Sequence, residues 1–161
     1  MDRENMDAFS ACDALAVEVD VLLYTEDMGK AMEMSKYMLY TDGRTLTDDV
    51  DAEVVDRVWD LLVAEGADMG LSPDTMRMFR PYTFISLLTN IGIEKVGLSA
   101  DHGVDMHFLR LARDRGIEVL EVETMESQMQ LLTGSAPELQ AHMLEEALDV
   151  EASGEGVRTL Y

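Results

Sequence analysis

The chain has 161 residues, 47% of them hydrophobic, enough to fold around a core and too many for a disordered acidic tail. Twelve Lys plus Arg against 33 Asp plus Glu leave a net charge of −21, which repels nucleic acid and anionic membranes and favours cations, basic peptides and divalent metals. Cys12 is the single cysteine, so no intrachain disulfide can form, and no apolar run reaches the ~18 residues of a membrane span or resembles a signal peptide.

The first marked element is an apolar strand running into acids, Leu15-Ala16-Val17-Glu18-Val19-Asp20. Cys12 precedes it within Phe9-Ser10-Ala11-Cys12-Asp13, which supplies an acid but no base, so a buried thiol is expected rather than a nucleophile. Met28, Ala31, Met32, Ser35, Met38 and Leu39 then recur at helical spacing up to the turn Thr41-Asp42-Gly43-Arg44. A core-facing helix is the expected reading, with an adaptable methionine surface as its alternative. A helix from about Asp51 to Glu65 turns Val54, Val55, Val58, Trp59, Leu61 and Leu62 inward and stops at Gly66.

Ser72-Pro73 reads as an N-cap with proline at the first helical position, and Pro81 should kink or break the helix begun there. Tyr82 to about Ile91 is expected to be the most buried helix, with Gly92 and Gly97 bracketing a connection. The loop Asp101-His102-Gly103-Val104-Asp105 leads into a helix to about Arg115, with Val104, Phe108, Leu111 and Ala112 on one face and Gly116 after it. A strand over 117–123 comes at once and carries Val119-Leu120-Glu121-Val122-Glu123, a helix-to-strand unit of the kind that builds parallel sheets. Thr124 caps a short helix bearing Met125, Met129 and Leu132. Ser135-Ala136-Pro137-Glu138 opens the last one, with Leu139, Met143, Leu144, Ala147 and Leu148.

The fold class is therefore α/β and predominantly helical, with about six helices and a small, incomplete, parallel sheet of two or more strands. Residues 1–151 are expected to form a single domain and 152–161 a flexible tail. Two strands make a poor sheet, so further strands from another copy or from sequence beyond either end are expected, and open edges make a homodimer plausible.

Chemistry points to the two acid-tipped strands. Acids at i and i+2 of an extended strand share a face, so Glu18 with Asp20 and Glu121 with Glu123 form pairs. If the strands are neighbours, four carboxylates gather at one end, where they could ligate a metal or serve as acid and base. The competing reading is of solvated strand ends in an acidic chain. His102, in a loop feeding a helix start, is the histidine best placed to join such a site; His107 and His142 read as solvated helix residues. Asp105 offsets the dipole of its helix. Residues 42–53 have the length of a calcium loop but carry Arg44, Leu46 and Thr47 where it needs ligands and glycine, and no phosphate cradle, HExxH or GxSxG is present.

Tyr40-Thr41-Asp42-Gly43-Arg44-Thr45-Leu46, Arg80-Pro81-Tyr82, Gly103-Val104-Asp105-Met106-His107-Phe108-Leu109, Ala112-Arg113, Gly116-Ile117-Glu118-Val119 and Glu123-Thr124-Met125-Glu126-Ser127-Gln128 together resemble the TraB/GumN family, which includes the Tiki proteins. The likeness runs over about residues 12 to 133 and is densest from Gly103 to Gln128. It implies a bacterial protein with duplicated β-α units and a helical insertion, here over about residues 25–100, in a family where some members inactivate peptide pheromones and Tiki members are metal-dependent proteases. Many members are exported or lipid-anchored, which implies an extracytoplasmic or cell-surface setting.

Family sites draw on two Gly-x-x-His motifs and acids on the strands. Glu18 and Glu123 match those acids, and neither Gly-x-x-His motif occurs here. The resemblance thus implies the central part of a peptide hydrolase or pheromone-inactivating protein, inactive by itself. Glu18 and Glu123 would be catalytic; Glu18, Asp20, Glu121, Glu123 and His102 would hold Mn, Co or Zn. A non-catalytic module that grips peptides through Met28, Met32, Met34 and Met38, or a structural surface protein, is the alternative.

Overall fold

Caps and apolar periodicity account for most element boundaries. The computed structural model describes residues 3–99 and 102–153. In chain order they form α1 (Arg3–Ser10), β1 (Ala14–Val17), α2 (Val21–Glu26), α3 (Met28–Met38), α4 (Leu46–Asp49), α5 (Ala52–Ala64), α6 (Pro73–Met76), α7 (Pro81–Lys95), α8 (Val104–Arg115), β2 (Glu118–Glu121), α9 (Met125–Thr133) and α10 (Pro137–Ser153). The mostly helical α/β class with a small parallel sheet is as expected. The helices number ten among the described residues rather than about six, because α1, α2 and α4, of eight, six and four residues, are too short to display an apolar period.

Ser72 caps α6 by accepting the Thr75 N–H at 3.2 Å. Pro81 breaks the chain as expected, yet it does so by opening α7 at a first-turn position where no amide donor is needed. That helix continues through Gly92 to Lys95 and stops before Gly97, whose φ of +79° only glycine adopts without strain, so Gly92 does not end it. Residues 154–161 of the expected tail lie outside the described residues, and α10 extends through Ser153.

The chain divides into two compact units, one of residues 3–32 with 102–128 and the other of residues 33–99 with 129–153. In the second, α10 packs on α7, and Phe84, Leu88, Leu144 and Leu148 meet Val54, Val55, Val58 and Leu62 of α5, together with Leu46 and Met76, in one buried cluster. The apolar face anticipated for α5 is the one buried. Three expected faces differ. Met28 and Met32 are 80% and 70% exposed, and α3 buries no residue. On α8 the buried positions are Leu109 and Ala112, while Val104 is solvent-facing. On α10 Leu144 and Leu148 are buried with Gln140, leaving Leu139 and Met143 exposed. Helical spacing defines a stripe of residues, but the neighbouring element decides which edge of it is covered.

Among the described residues no helix is long and apolar enough to cross a membrane.

The segment after α3 is tied down by polar contacts. Tyr40 N–H donates to Met78 O at 2.9 Å and Arg80 N–H to Met38 O at 2.8 Å, around an antiparallel bridge of Leu39 with Phe79. The Tyr40 hydroxyl donates to Asp49 Oδ2 at 2.5 Å, and the Arg44 and Arg80 guanidinium groups lie 5.4 and 5.2 Å from its ring centre. Burial, then the hydrogen bond to Asp49 and that carboxylate's charge, push the Tyr40 phenol well above its ordinary range, and the two arginines only partly offset this. Below the ordinary tyrosine pKa of about 10 both folded and unfolded chains keep this proton, so the contribution to stability is complete; above it the unfolded chain releases the proton first and stability falls as pH rises. An ultraviolet difference titration should therefore show a phenol phase displaced to high pH that Tyr40→Phe removes. A wild-type titration with no such late phase, or one that Tyr40→Phe leaves unchanged, would contradict this packing.

Candidate functional site

Ala14–Val17 and Glu118–Glu121 are short, rich in apolar residues and separated by about a hundred residues, so they can pair only in space. They do so in parallel, with Leu15 opposite Val119 and Val17 opposite Glu121. A parallel pair needs a crossover rather than a tight turn, and α8 supplies its last segment and packs on both strands. Gly116 makes the helix-to-strand passage possible. Its φ of +66° closes α8 in the left-handed conformation, with Gly116 N–H donating to Arg113 O and Ile117 N–H to Ala112 O.

Pairing continues past the strand ends, though not as a regular ladder. Val122 N–H donates to Val17 O at 2.9 Å and Glu123 N–H to Glu18 O at 3.0 Å. Two successive carbonyls cannot face the same neighbour in a regular strand, so the backbone turns at Glu18. Val19 and Asp20 are consequently both buried, which a strict alternation would forbid. The acidic tips lie side by side, but this turn separates the four carboxylates in role.

Asp20 is 8% exposed and fully engaged. Its Oδ1 accepts the Leu23 N–H at 3.3 Å and so caps α2, and both carboxylate oxygens lie 3.3 Å from Arg113 Nη2. Arg113 also pairs with Glu26 through Nη1, so one guanidinium on α8 holds both ends of α2. Glu121 Oε1 accepts the Asp20 backbone N–H at 3.0 Å, linking β2 to the same corner. By contrast Glu18 and Glu123 are exposed and join each other through backbone atoms alone.

The structure therefore brings Asp20 and Glu121 together, places Glu18 and Glu123 at the solvent edge of the same corner, and leaves His102 exposed beyond the start of α8, with no interaction among the described residues tying it to the carboxylates. Asp101, beside His102, lies outside the described residues. Among the described residues, no three of His, Cys, Asp and Glu form a group able to hold a metal ion. The donor set does not fit one, because Asp20, the best buried ligand candidate, has both oxygens committed to Arg113 and its helix cap. Displacing Arg113 from a buried carboxylate would leave an unpaired charge. Cys12 is half-buried and its thiol donates to Phe9 O, a structural contact. His107 lies edge-on to Phe108, and His142 is 3.4 Å from Glu146 one turn on; both are exposed.

Arg113 is the residue that sequence reasoning left without a role at this corner. Its signal was present: it is one of only twelve cations in an acidic chain, and Asp20 stands at the cap position before the helical run Val21-Leu22-Leu23.

With this geometry in place, comparison with known families is decisive: the family model TraB/PrgY/gumN matches residues 1–161. The chain belongs to the TraB/PrgY/gumN family. No curated protein and no solved structure gives a match. Within this TraB/PrgY/gumN chain the acid-tipped strands are neighbours, and the acid of the first strand that is buried, Asp20, is an organising group.

Arg113→Met should destabilise the protein by about 2 kcal/mol, less than a fully buried pair would cost because the guanidinium keeps partial solvent access. Asp20→Asn in the same chain should restore part of the loss, since asparagine still caps α2 without an unpaired charge. Urea denaturation of the four species measures this coupling; strictly additive losses would show that the two side chains do not interact.

Proposed function

We propose that this TraB/PrgY/gumN family member engages peptides at the corner where β1 and β2 end, inactivating them by capture rather than by metal-dependent hydrolysis. The observation behind this reading is the exposure of Glu18 and Glu123 beside a locked Asp20–Arg113 pair. It is an acidic surface in which, among the described residues, no three His, Cys, Asp or Glu side chains form a metal-binding group. A net charge of −21 draws basic ligands to it. The setting proposed with this function is the bacterial cell surface or beyond, where peptide signals travel.

A second reading has one observation in its favour. Glu18 and Glu123 lie at adjacent strand ends and face water, so either could accept a proton from a water attacking a peptide carbonyl, with Glu18 the stronger candidate because the backbone turn presents it.

The two readings separate in one experiment. A mixture of basic and acidic peptides is incubated with the protein, bound material is measured by calorimetry, and all peptides are then recovered for mass spectrometry. Capture predicts basic peptides bound and returned intact, with Glu18→Gln and Glu123→Gln weakening binding by a few-fold each. Cleavage that disappears in Glu18→Gln would favour hydrolysis. Neither binding nor cleavage by the wild type would remove both.

A further inference from the structure

The sheet has one covered face and one bare one. Leu15, Val17 and Val119 are half-buried on the side that α8 packs against, whereas Ala16, Glu118, Leu120 and Val122 alternate with them and are exposed, Leu120 by 46% and Val122 by 75%. Beyond Val119 the strand is exposed on both faces, since Glu121 is open as well. The sheet has two strands in the order β1-β2, so β2 has no strand partner on its second side among the described residues. With Val122 N–H turned to Val17, strand alternation directs the backbone groups of Val119 and Glu121 to that second side.

An exposed strand edge next to exposed apolar side chains is a template for another strand. We propose that the free edge of β2 receives an extended peptide in which apolar and cationic residues alternate. This rests on the peptide-capture reading above and names its ligand. The two faces of β2 specify the pattern. Positions beside Leu120 and Val122 meet apolar side chains, and positions one residue out of phase meet Glu121 on the other face, so the added strand places apolar residues on one side and Lys or Arg on the other. Glu118 and Glu123 at either end of the segment repel acidic ligands. A second copy of this chain is the poorer occupant by the same arithmetic, because its β2 would bring like carboxylates together and each copy carries a charge of −21.

The test uses a fluorescent peptide of about ten residues alternating Val and Lys, roughly one long strand. Three comparison peptides accompany it: the same residues in blocked order, a Val and Glu alternation, and the Val and Lys peptide N-methylated on every amide, so that neither strand edge can donate. Anisotropy should show the alternating Val and Lys peptide binding about tenfold more tightly than the blocked one, with the acidic and N-methylated peptides binding weakest. Leu120→Lys and Val122→Lys, both at solvent-facing positions, should each reduce affinity about tenfold with unchanged circular dichroism. Equal affinity for the alternating and blocked peptides would show a purely electrostatic surface and overturn the proposal, as would full binding of the N-methylated peptide, which leaves the protein itself untouched. If basic peptides bind but none of these preferences appears, the edge assignment fails and peptide capture stands; if nothing binds, both fail. Light scattering that shows a dimer lost in Val122→Lys would assign the edge to a second copy instead.

Discussion

Two four-residue strands whose partners lie about a hundred positions apart must stay paired in parallel, and the chemistry suggested for this chain depends on that pairing. A two-stranded sheet is marginal on its own, and a parallel one has no turn to close it. The compensation is local. Helix α8 covers one face, Gly116 lets it feed directly into β2, and Arg113 from its last turn reaches across to Asp20 just beyond β1. The Asp20 backbone N–H completes the corner by donating to Glu121. The Asp20 carboxylate and the Arg113 guanidinium, besides pairing with each other, take the Leu23 N–H and the Glu26 carboxylate of α2, while Glu121 joins the corner through the Asp20 backbone.

This division of labour decides what the acids can do. Burial makes Asp20 costly to leave unpaired, so its pairing with Arg113 is structural in effect and withdraws it from ligand duty. Glu18 and Glu123 bear no such constraint and remain available to solvent or to a ligand. Under the proposed peptide-capture reading, an acidic corner braced by the Asp20–Arg113 pair meets cations on an extended chain, which calls for placed charges and an open edge more than for a closed pocket. In the other unit the Tyr40, Asp49, Arg44 and Arg80 cluster follows the same economy, with scarce cations placed where they neutralise acids against an apolar ring.

Much of this was legible in the sequence. The acid-tipped strands, the apolar face of α5, the Ser72-Pro73 start and the Gly116 stop all carry local signals that the structure obeys, and the motif residues identify the family. The features that the sequence concealed are tertiary in origin. The turn at Glu18 breaks the alternation from which the carboxylate faces were read, because burial of Val19 and the capping of α2 by Asp20 outweigh a regular ladder. Methionines at helical spacing in α3 suggested a core, but Met28 and Met32 face solvent. Leu139 and Met143 fit the same period as Leu144 and Leu148 while staying exposed. Periodicity identifies a face, and only packing chooses its centre.

Crosslinking tests the pairing most directly. Ala16 and Leu120 are opposite each other in the register and both are exposed, so Ala16→Cys with Leu120→Cys, in a Cys12→Ser background, should form a disulfide rapidly under mild oxidation. Pairing Ala16→Cys with cysteine at Glu118 or Val122 should give markedly slower crosslinking. Equal rates for all three, or none for Ala16 with Leu120, would contradict the parallel register from which the acidic corner is built.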